Sequence, residues 1–417
     1  MSTNKPYFDF SKPIVIVGFG RTGKSFNQYL LSKDLKPKKD FYIFDDNESL
    51  ANISLSEILK DIYTQFFISP GYSLSKSWIL EKRKKNVIFL GELSFWAEEL
   101  NKYKTISVTG SVGKSTLVKL ISYCLTKLGI DNKLIGNIGT PVTDYFLSCD
   151  KEYSDVLVLE LSSYQLELIG DFKSKYSILT KIIPNHLDRY KDFKHYYLTK
   201  LKLLFSTIKT NFLIEENLEF IPEEIEFEVI KKLAGNNHPQ INSDCFSLCV
   251  SLLRKFEFGD EEIIKSMSGF ESLPHRLEPI KFNNKYIAIN DSKATTVEGV
   301  NFALKYCQNN FSDKKNIWLL LGGRNKGHDW SNLRISKYKN IKLVVFGSSK
   351  NKLEQEFKKN IVGSYDSLSK CLAATLKLVD FNTDLLLLSP GGDSFDEFDN
   401  FEKRGEFFKQ EISKFLV

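Results

Sequence analysis

The chain has 417 residues, 42% of them hydrophobic and 26% charged, with a formal net charge of +6. It is too long for one typical domain, and its composition is that of a soluble globular protein. Its basic residues form no concentrated stripe, and the six cysteines show no metal-type pairing. No apolar run is long enough to span a membrane, and residues 1–10 lack the apolar core of a signal peptide. We therefore expect a cytoplasmic protein with core thiols and no nucleic-acid partner.

The N-terminal segment begins as a Rossmann-like domain. A predicted strand at 13–17 leads into Gly18-Phe19-Gly20-Arg21-Thr22-Gly23 and a helix to about Leu31, and a strand at 41–44 ends at Asp45-Asp46. A glycine turn that opens a helix, with an acidic residue after the next strand, is typical of nucleotide binding. The turn alone is weak evidence for NAD, because it can hold any nucleotide diphosphate at a helix N-terminus. Ser69-Pro70-Gly71 is predicted to be a loop of the same sheet, and 87–91 another strand.

The second segment opens with a phosphate-binding loop. A short strand, 105–108, precedes Gly110-Ser111-Val112-Gly113-Lys114-Ser115-Thr116, and 117–128 has helical apolar spacing. Glycines let backbone N–H groups approach phosphate oxygens, Lys114 supplies a cation, and Ser115 or Thr116 offers a hydroxyl to Mg²⁺. The loop therefore predicts that the protein consumes a nucleoside triphosphate.

The remaining predicted elements alternate between strands and helices. A buried strand at 155–160 ends in Glu160, and a strand at 177–180 precedes Asn185-His186-Leu187-Asp188-Arg189. Residues 245–256 form the clearest helix, and later strands lie at 286–290, 317–321, 343–346 and 385–388. This alternation predicts an α/β protein with a parallel sheet in each segment.

Four strings in this order resemble the Mur ligase family, the ATP-dependent amino-acid ligases of peptidoglycan precursor synthesis. They are the phosphate loop, Glu160-Leu161-Ser162-Ser163-Tyr164-Gln165, the Asn185–Arg189 string with Lys200, and His275-Arg276 with Asn290-Asp291-Ser292-Lys293-Ala294-Thr295. The resemblance covers nearly the whole chain and implies three domains. These are a Rossmann-like UDP-substrate domain at 1–103, a P-loop ATP-binding central domain at 104–278, and a Rossmann-like amino-acid-binding domain at 279–417.

The resemblance also implies ATP and Mg²⁺ as cofactors and assigns residues to them. The catalytic residues would be Lys114, His186 and Lys200, with Lys200 carried as a carbamate. The metal ligands would be Ser115, Glu160, His186 and Lys200. Nucleotide contacts would come from Gly110, Ser111, Gly113, Lys114, Ser115, Thr116, Asn242, Arg276 and Asp291.

The C-terminal strings most resemble family members that join D-glutamate to UDP-N-acetylmuramoyl-L-alanine, and these two substrates are the expected partners of a monomer. Contacts to the UDP substrate would come from Arg21, Thr22, Asp45, Asp46, Ser69, Gly71, Asn137, Ser162 and Gln165. Contacts to D-glutamate would come from Lys293, Thr295, Lys326, Ser394 and Phe401. Two lysines and two hydroxyls suit a dicarboxylate.

The chain departs from the family pattern at four places, and two alternatives stay open. Pro184 and Asn185 precede His186 where the family often has acidic residues, and the stretch from Leu213 to Lys232 is short for the family. Val112 stands where the family has asparagine, and residues 235–242 are an irregular version of the adenine-contacting string, in which Asn242 is the best match. One alternative is a sibling Mur-type or folylpolyglutamate-type ligase. The other is an NAD-dependent dehydrogenase that uses the Gly18–Gly23 turn, against which the phosphate loop argues.

Overall fold

The computed structural model describes residues 7–148, 154–187, 189–207, 211–214, 228–231, 233, 241, 243–325, 327, 329–338 and 340–416. The chain divides into two compact units. The first comprises residues 1–183, 189–234 and 243–268, and the second comprises residues 184–188, 235–242 and 269–417. No helix among the described residues is long and apolar enough to cross a membrane.

The first unit contains a four-stranded parallel sheet near its N-terminus. Its strand order is β2-β1-β3-β4, with β1 at Ile14–Val17, β2 at Phe41–Phe44, β3 at Gln65–Ile68 and β4 at Ile88–Leu90. The helices are α1 (Arg21–Ser32), α2 (Leu55–Ile58) and α3 (Ser77–Lys82). All four residues of β1 are buried, as a continuous β-branched run predicts for a central strand covered on both faces.

A six-stranded parallel sheet forms the rest of the first unit, in the order β10-β9-β8-β5-β7-β6. The strands are β5 (Lys104–Thr109), β6 (Asn132–Gly136), β7 (Val156–Glu160), β8 (Tyr176–Leu179), β9 (Phe212–Ile214) and β10 (Glu228–Val229). Its helices are α4 (Glu92–Phe95), α5 (Ala97–Leu100), α6 (Lys114–Lys127), α7 (Val142–Leu147), α8 (Ser163–Leu166), α9 (Phe193–Phe205), α10 (Ser243–Arg254) and α11 (Asp260–Ser266). The central strand β5 leads directly into the phosphate loop.

The second unit has a mixed six-stranded sheet, in the order β11-β12-β16-β13-β14-β15. The strands are β11 (Glu278–Phe282), β12 (Lys285–Asn290), β13 (Asn316–Gly322), β14 (Ile341–Phe346), β15 (Ile361–Tyr365) and β16 (Asp384–Gly391). The helices are α12 (Val297–Asn310), α13 (Lys350–Phe357), α14 (Leu368–Thr375) and α15 (Phe401–Leu416). Two apolar clusters lie on the two faces of the sheet, and alternate residues of β13 and β16 enter each.

The α/β class and the parallel sheets are confirmed, with one difference. Strand β11 is antiparallel to β12, because Asn283 and Asn284 form a two-residue turn in which both φ angles are positive, +48° and +61°. Asparagine tolerates this conformation, and such turns connect antiparallel strands tightly. The three sheets follow the three predicted segments, although β11 begins at Glu278; the domain boundaries themselves stay a prediction.

Candidate active site

The phosphate loop joins β5 to α6 and is shaped by two glycines. Gly110 has φ +144° and Gly113 has φ +88°, and a Cβ at Gly110 would overlap the Thr180 hydroxyl. Ser111 N donates to Lys181 O at 2.8 Å, and Thr180 Oγ1 donates to Val112 O at 2.7 Å. The loop is therefore fixed from the end of β8 and presents its backbone at the N-terminus of α6, where anions are favoured.

Two lysine side chains converge on this loop. Lys114 Nζ donates to Gly110 O at 2.8 Å and to Ser111 O at 3.2 Å, while Lys200 Nζ, from α9, donates to Gly110 O at 2.7 Å. Lys200 is 2% exposed. Burial holds the pKa of Lys200 well below its usual range, the charge of Lys114 lowers it further, and Glu160 opposes the shift. Burial and the Lys114 charge therefore both favour the uncharged amine of Lys200.

Glu160 ends β7 and is buried, and its Oε1 accepts a hydrogen bond of 2.6 Å from Asn137 Nδ2. Ser115 is buried in the first turn of α6, and Thr116 beside it is half-buried. Across the residues whose placement is described, no group of three His, Cys, Asp or Glu side chains could hold a metal alone. A hydroxyl and one carboxylate fit Mg²⁺, which takes hard oxygen ligands and obtains the rest from water and substrate phosphates.

A cavity of about 460 Å³ lies in the first unit, at the carboxyl ends of its strands. Eight of the nine residues predicted to contact a UDP substrate line it: Arg21, Thr22, Asp45, Asp46, Ser69, Gly71, Asn137 and Gln165. The ninth, Ser162, is the N-cap of α8, where its hydroxyl and the Gln165 side chain form a capping box. Residues far apart in sequence therefore meet at one opening, where parallel α/β sheets bind ligands.

Hydrogen bonds within the first unit fix several of these side chains. Arg21 Nη2 donates to Gly139 O at 2.6 Å, and Asp45 Oδ2 accepts from Phe19 N at 2.6 Å. Asp46 accepts from Lys76 Nζ at 2.9 Å and from Tyr72 Oη at 3.1 Å. Hydrogen bonds thus orient several side chains of the cavity wall before any ligand enters.

In the second unit, Lys293, Thr295 and Ser394 of the predicted D-glutamate residues lie in loops, and Phe401 is the first residue of α15. Lys293 Nζ is 3.8 Å from the centre of the Phe401 ring, and Ser292 Oγ donates to Phe401 O at 2.8 Å. Ser394 is buried in the loop after β16, and Thr295 lies before α12. Lys326 lies outside the described residues, as does Asn242.

Arg404 joins two of these loops from inside the second unit. Its guanidinium donates to Ser292 O at 2.8 Å, Asp393 O at 2.9 Å, Gly392 O at 3.1 Å and Ser292 Oγ at 3.1 Å, and it is 1% exposed. The sequence analysis assigned no role to Arg404. Its spacing was a usable signal, because Arg404 falls on the buried stripe of α15 with Phe408 and Ile412.

The remaining predicted nucleotide and catalytic residues also lie in the second unit. The carboxylate of Asp291 accepts from Leu277 N at 3.2 Å and Ser389 Oγ at 2.9 Å. Burial raises the pKa of Asp291 to about 7, although those hydrogen bonds and the Arg276 charge oppose the rise. His186 has a left-handed backbone, with φ +55°. Such backbones cluster at functional sites.

Comparison with known proteins places the chain in a family. A sequence profile of the Mur ligase middle domain matches residues 108–237. The chain is 31% identical over 451 aligned positions to the UDP-N-acetylmuramoylalanine--D-glutamate ligase of Buchnera aphidicola, covering 96% of this chain and 98% of that protein. A Francisella tularensis protein of the same name is 30% identical over 431 positions, covering 98% of each chain. The chain belongs to the Mur ligase family.

Solved structures of Mur ligases share the fold. MurF of Thermotoga maritima in complex with ADP superposes with a TM-score of 0.62 at 13% identity, covering 96% of this chain and 95% of that one. MurC of the same organism gives 0.56 at 14% identity, covering 96% and 99%. A bifunctional folylpolyglutamate/dihydrofolate synthase of Yersinia pestis gives 0.55 at 13% identity, covering 82% and 98%. The Mur ligase resemblance is thereby confirmed, whereas the role of each site residue stays a prediction.

Proposed function

We propose that this Mur ligase joins D-glutamate to UDP-N-acetylmuramoyl-L-alanine with consumption of ATP, in the synthesis of peptidoglycan precursors. The observation that carries the proposal is similarity over nearly the full length to two ligases that bear this activity in their names. The phosphate loop and the cavity of predicted UDP-substrate residues support it independently. The full-length similarity gives no support to the dehydrogenase alternative.

The reaction would proceed in two steps. The L-alanyl carboxylate attacks the γ-phosphorus of ATP, the bond to ADP breaks, and an acyl phosphate forms. The free amine of D-glutamate then attacks the acyl carbon and the bond from that carbon to the phosphate oxygen breaks. Phosphate leaves, and the nitrogen releases one proton to solvent as the amide forms. Because little covalent chemistry falls to the protein, positioning and charge stabilisation carry most of the catalysis.

Different residues of the chain would bind the phosphates, the metal ion, the nucleotide and the amino acid. Gly110 and Gly113 allow the loop backbone to approach phosphates, and Lys114 places a cation among the phosphate oxygens. Bound Mg²⁺ would neutralise phosphate charge, held by Ser115, Glu160, His186 and Lys200 as its carbamate. Arg276 and Asp291, with Asn242, would hold the nucleotide, and Lys293, Thr295, Lys326, Ser394 and Phe401 the amino acid. The protein would act as a monomer.

The test is phosphate release by the purified protein with ATP, Mg²⁺ and UDP-N-acetylmuramoyl-L-alanine. We expect release to require D-glutamate, to be absent with L-glutamate, and to match the amide formed one for one. Meso-diaminopimelate, L-alanine and folate with glutamate serve as competing substrates of sibling ligases. Release driven by one of these rather than by D-glutamate would overturn the proposal, and calorimetric binding of NAD would revive the dehydrogenase alternative.

A further inference from the structure

The Arg189 side chain forms a buried clasp that the proposed mechanism does not use. Its Nε and Nη2 donate to the two oxygens of Glu167, at 3.0 and 2.7 Å, in a bidentate pair. Its Nη1 donates to Gly71 O at 3.1 Å, and Nη2 also donates to Tyr72 O at 2.9 Å. The side chains of Arg189 and Glu167 are 9% and 13% exposed. The guanidinium therefore makes four hydrogen bonds while its side chain is largely shielded from solvent.

These partners belong to two different walls of the 460 Å³ cavity. Gly71 and Tyr72 lie in the loop after β3, which lines the cavity together with Ser69. Glu167 is the C-cap of α8, and α8 also contains Gln165, which lines the same cavity. Arg189 is not itself among the lining residues. It therefore connects the walls without facing the cavity.

The clasp continues on both sides. The Arg189 guanidinium carbon lies 4.0 Å from the centre of the Tyr164 ring, so α8 is held by a cation–π contact as well as by the ion pair. On the other side, the hydroxyl of Tyr72 donates to Asp46, and Trp78 Nε1 donates to that hydroxyl at 3.1 Å. Displacement of the guanidinium would thus shift the Asp46 carboxylate as well as the loop that contains Gly71 and Tyr72.

Arginine suits this position for a geometric reason. A planar guanidinium can bond both oxygens of a carboxylate with one edge and direct its remaining N–H groups to backbone carbonyls in the same plane. A lysine ammonium has three donors on one atom and cannot reproduce that pattern. We propose that Arg189 is a positioning residue that sets the affinity for the uridine-nucleotide substrate. The inference rests on the proposed function only for the identity of that ligand.

The test is direct binding of UDP-N-acetylmuramoyl-L-alanine by calorimetry without ATP, together with steady-state kinetics. Arg189→Lys loses charge-assisted hydrogen bonds to the loop, and we expect its Kd and KM for this substrate to rise about tenfold. The KM values for ATP and D-glutamate should change less than about twofold, because the clasp touches neither predicted site. Glu167→Gln leaves the two bonds to Gly71 and Tyr72, so we expect a smaller rise, about threefold.

Arg254→Lys is the matched control. Arg254 makes the same bidentate pair with Asp260, at 2.8 Å for both bonds, but these side chains are 45% and 55% exposed and the pair lies outside the cavity. The Kd of Arg254→Lys for UDP-N-acetylmuramoyl-L-alanine should equal that of the unaltered protein. A lowered melting temperature with an unchanged Kd in Arg189→Lys would overturn the inference, since that result shows a purely structural role.

The inference and the proposed function can fail separately. If the unaltered protein binds the UDP substrate but forms no amide with D-glutamate, the proposed function fails while the Kd comparison still supports Arg189. If the protein ligates D-glutamate and Arg189→Lys binds its substrate normally, the inference fails alone. A protein that does not bind the UDP substrate overturns both.

Discussion

Among the single residues, Lys200 is unusual because its side chain is buried and lies close to a second cation, Lys114. Its pKa is lowered first by burial and then by Lys114, so the uncharged amine is favoured beside the phosphate loop. An uncharged amine can attack CO₂, and loss of a proton from nitrogen then leaves a carbamate anion. This replaces the potential repulsion between an ammonium and Mg²⁺ with an attraction, because the group becomes an oxygen ligand.

The corresponding prediction concerns Lys200→Ala. We expect the variant to lose nearly all ligase activity and to regain part of it in millimolar acetate or formate, which can occupy the space of the carbamate. Lys194→Ala, which removes an exposed lysine from the same helix, should be unaffected by the added carboxylate. Turnover by Lys200→Ala close to that of the unaltered enzyme in plain buffer would return Lys200 to a structural role.

Among the secondary-structure elements, helix α7 shows how a buried carboxylate can replace a local cap. Its N-cap residue is Pro141, which has no polar side chain, and Glu92 Oε1 accepts instead from Thr143 N at 2.9 Å. Glu92 is 3% exposed. Burial raises the pKa of Glu92 to about 6, and the hydrogen bonds from Thr143 oppose the rise only in part.

This shift predicts a pH dependence of stability. The folded protein holds the Glu92 proton more tightly than the unfolded chain, so the free energy of unfolding should fall as pH rises from about 4.5 to about 6. The size of this fall is about 2 kcal/mol. Glu92→Gln keeps a hydrogen-bond acceptor but cannot ionise. In this variant, the free energy of unfolding measured with urea should not show this fall between pH 4.5 and pH 6. Glu81→Gln, at a side chain that is 68% exposed, is the control and should keep it.

The strands that sequence reasoning found and missed differ in composition. The run at β7 is apolar up to Glu160 and wholly buried, so its hydrophobic pattern suffices. In β5, the β-branched residues Thr105, Ile106, Val108 and Thr109 favour a strand. Strands β6, β11 and β15 contain asparagine, proline or glycine, which weaken the pattern, and their pairing in the sheet stabilises them instead. Pro279 is tolerated because β11 is the edge strand of its sheet.

The candidate site was predictable to the extent that its residues follow strand ends. Asp45 and Ser69 follow β2 and β3, and a parallel sheet brings such positions to the same edge. Asn137 follows β6 of the other sheet of the first unit and lines the same cavity. Contacts such as that of Arg189 with Gly71, 118 residues apart, were not predictable. They depend on how separate segments pack, and one side chain leaves no periodic signal in a sequence.

For the whole molecule, the phosphate loop and the cavity are separate parts of one unit. Lys114 bonds to the loop carbonyls and is not among the residues that line the cavity. We therefore expect Lys114→Ala to lower kcat by about 10²- to 10³-fold while leaving the Kd for the UDP substrate within about twofold. Lys127→Ala, at the exposed end of the same helix, should alter neither value. Calorimetry and amide formation measure the two effects, and equal losses of binding and turnover would contradict this separation.

The shared acceptor of Lys114 and Lys200, the carbonyl oxygen of Gly110, has a consequence for the abundance of the protein. The charge of Lys114 disfavours a charge on Lys200 beside it, and a bound polyphosphate would offset the Lys114 charge. Because a ligand that binds only the folded state stabilises it, ATP at about a hundred times its Kd would add about 2.7 kcal/mol. In cells whose ATP concentration has fallen, a larger fraction of the protein would be unfolded and degraded. Starvation would then reduce the number of enzyme molecules as well as the concentration of their substrate ATP.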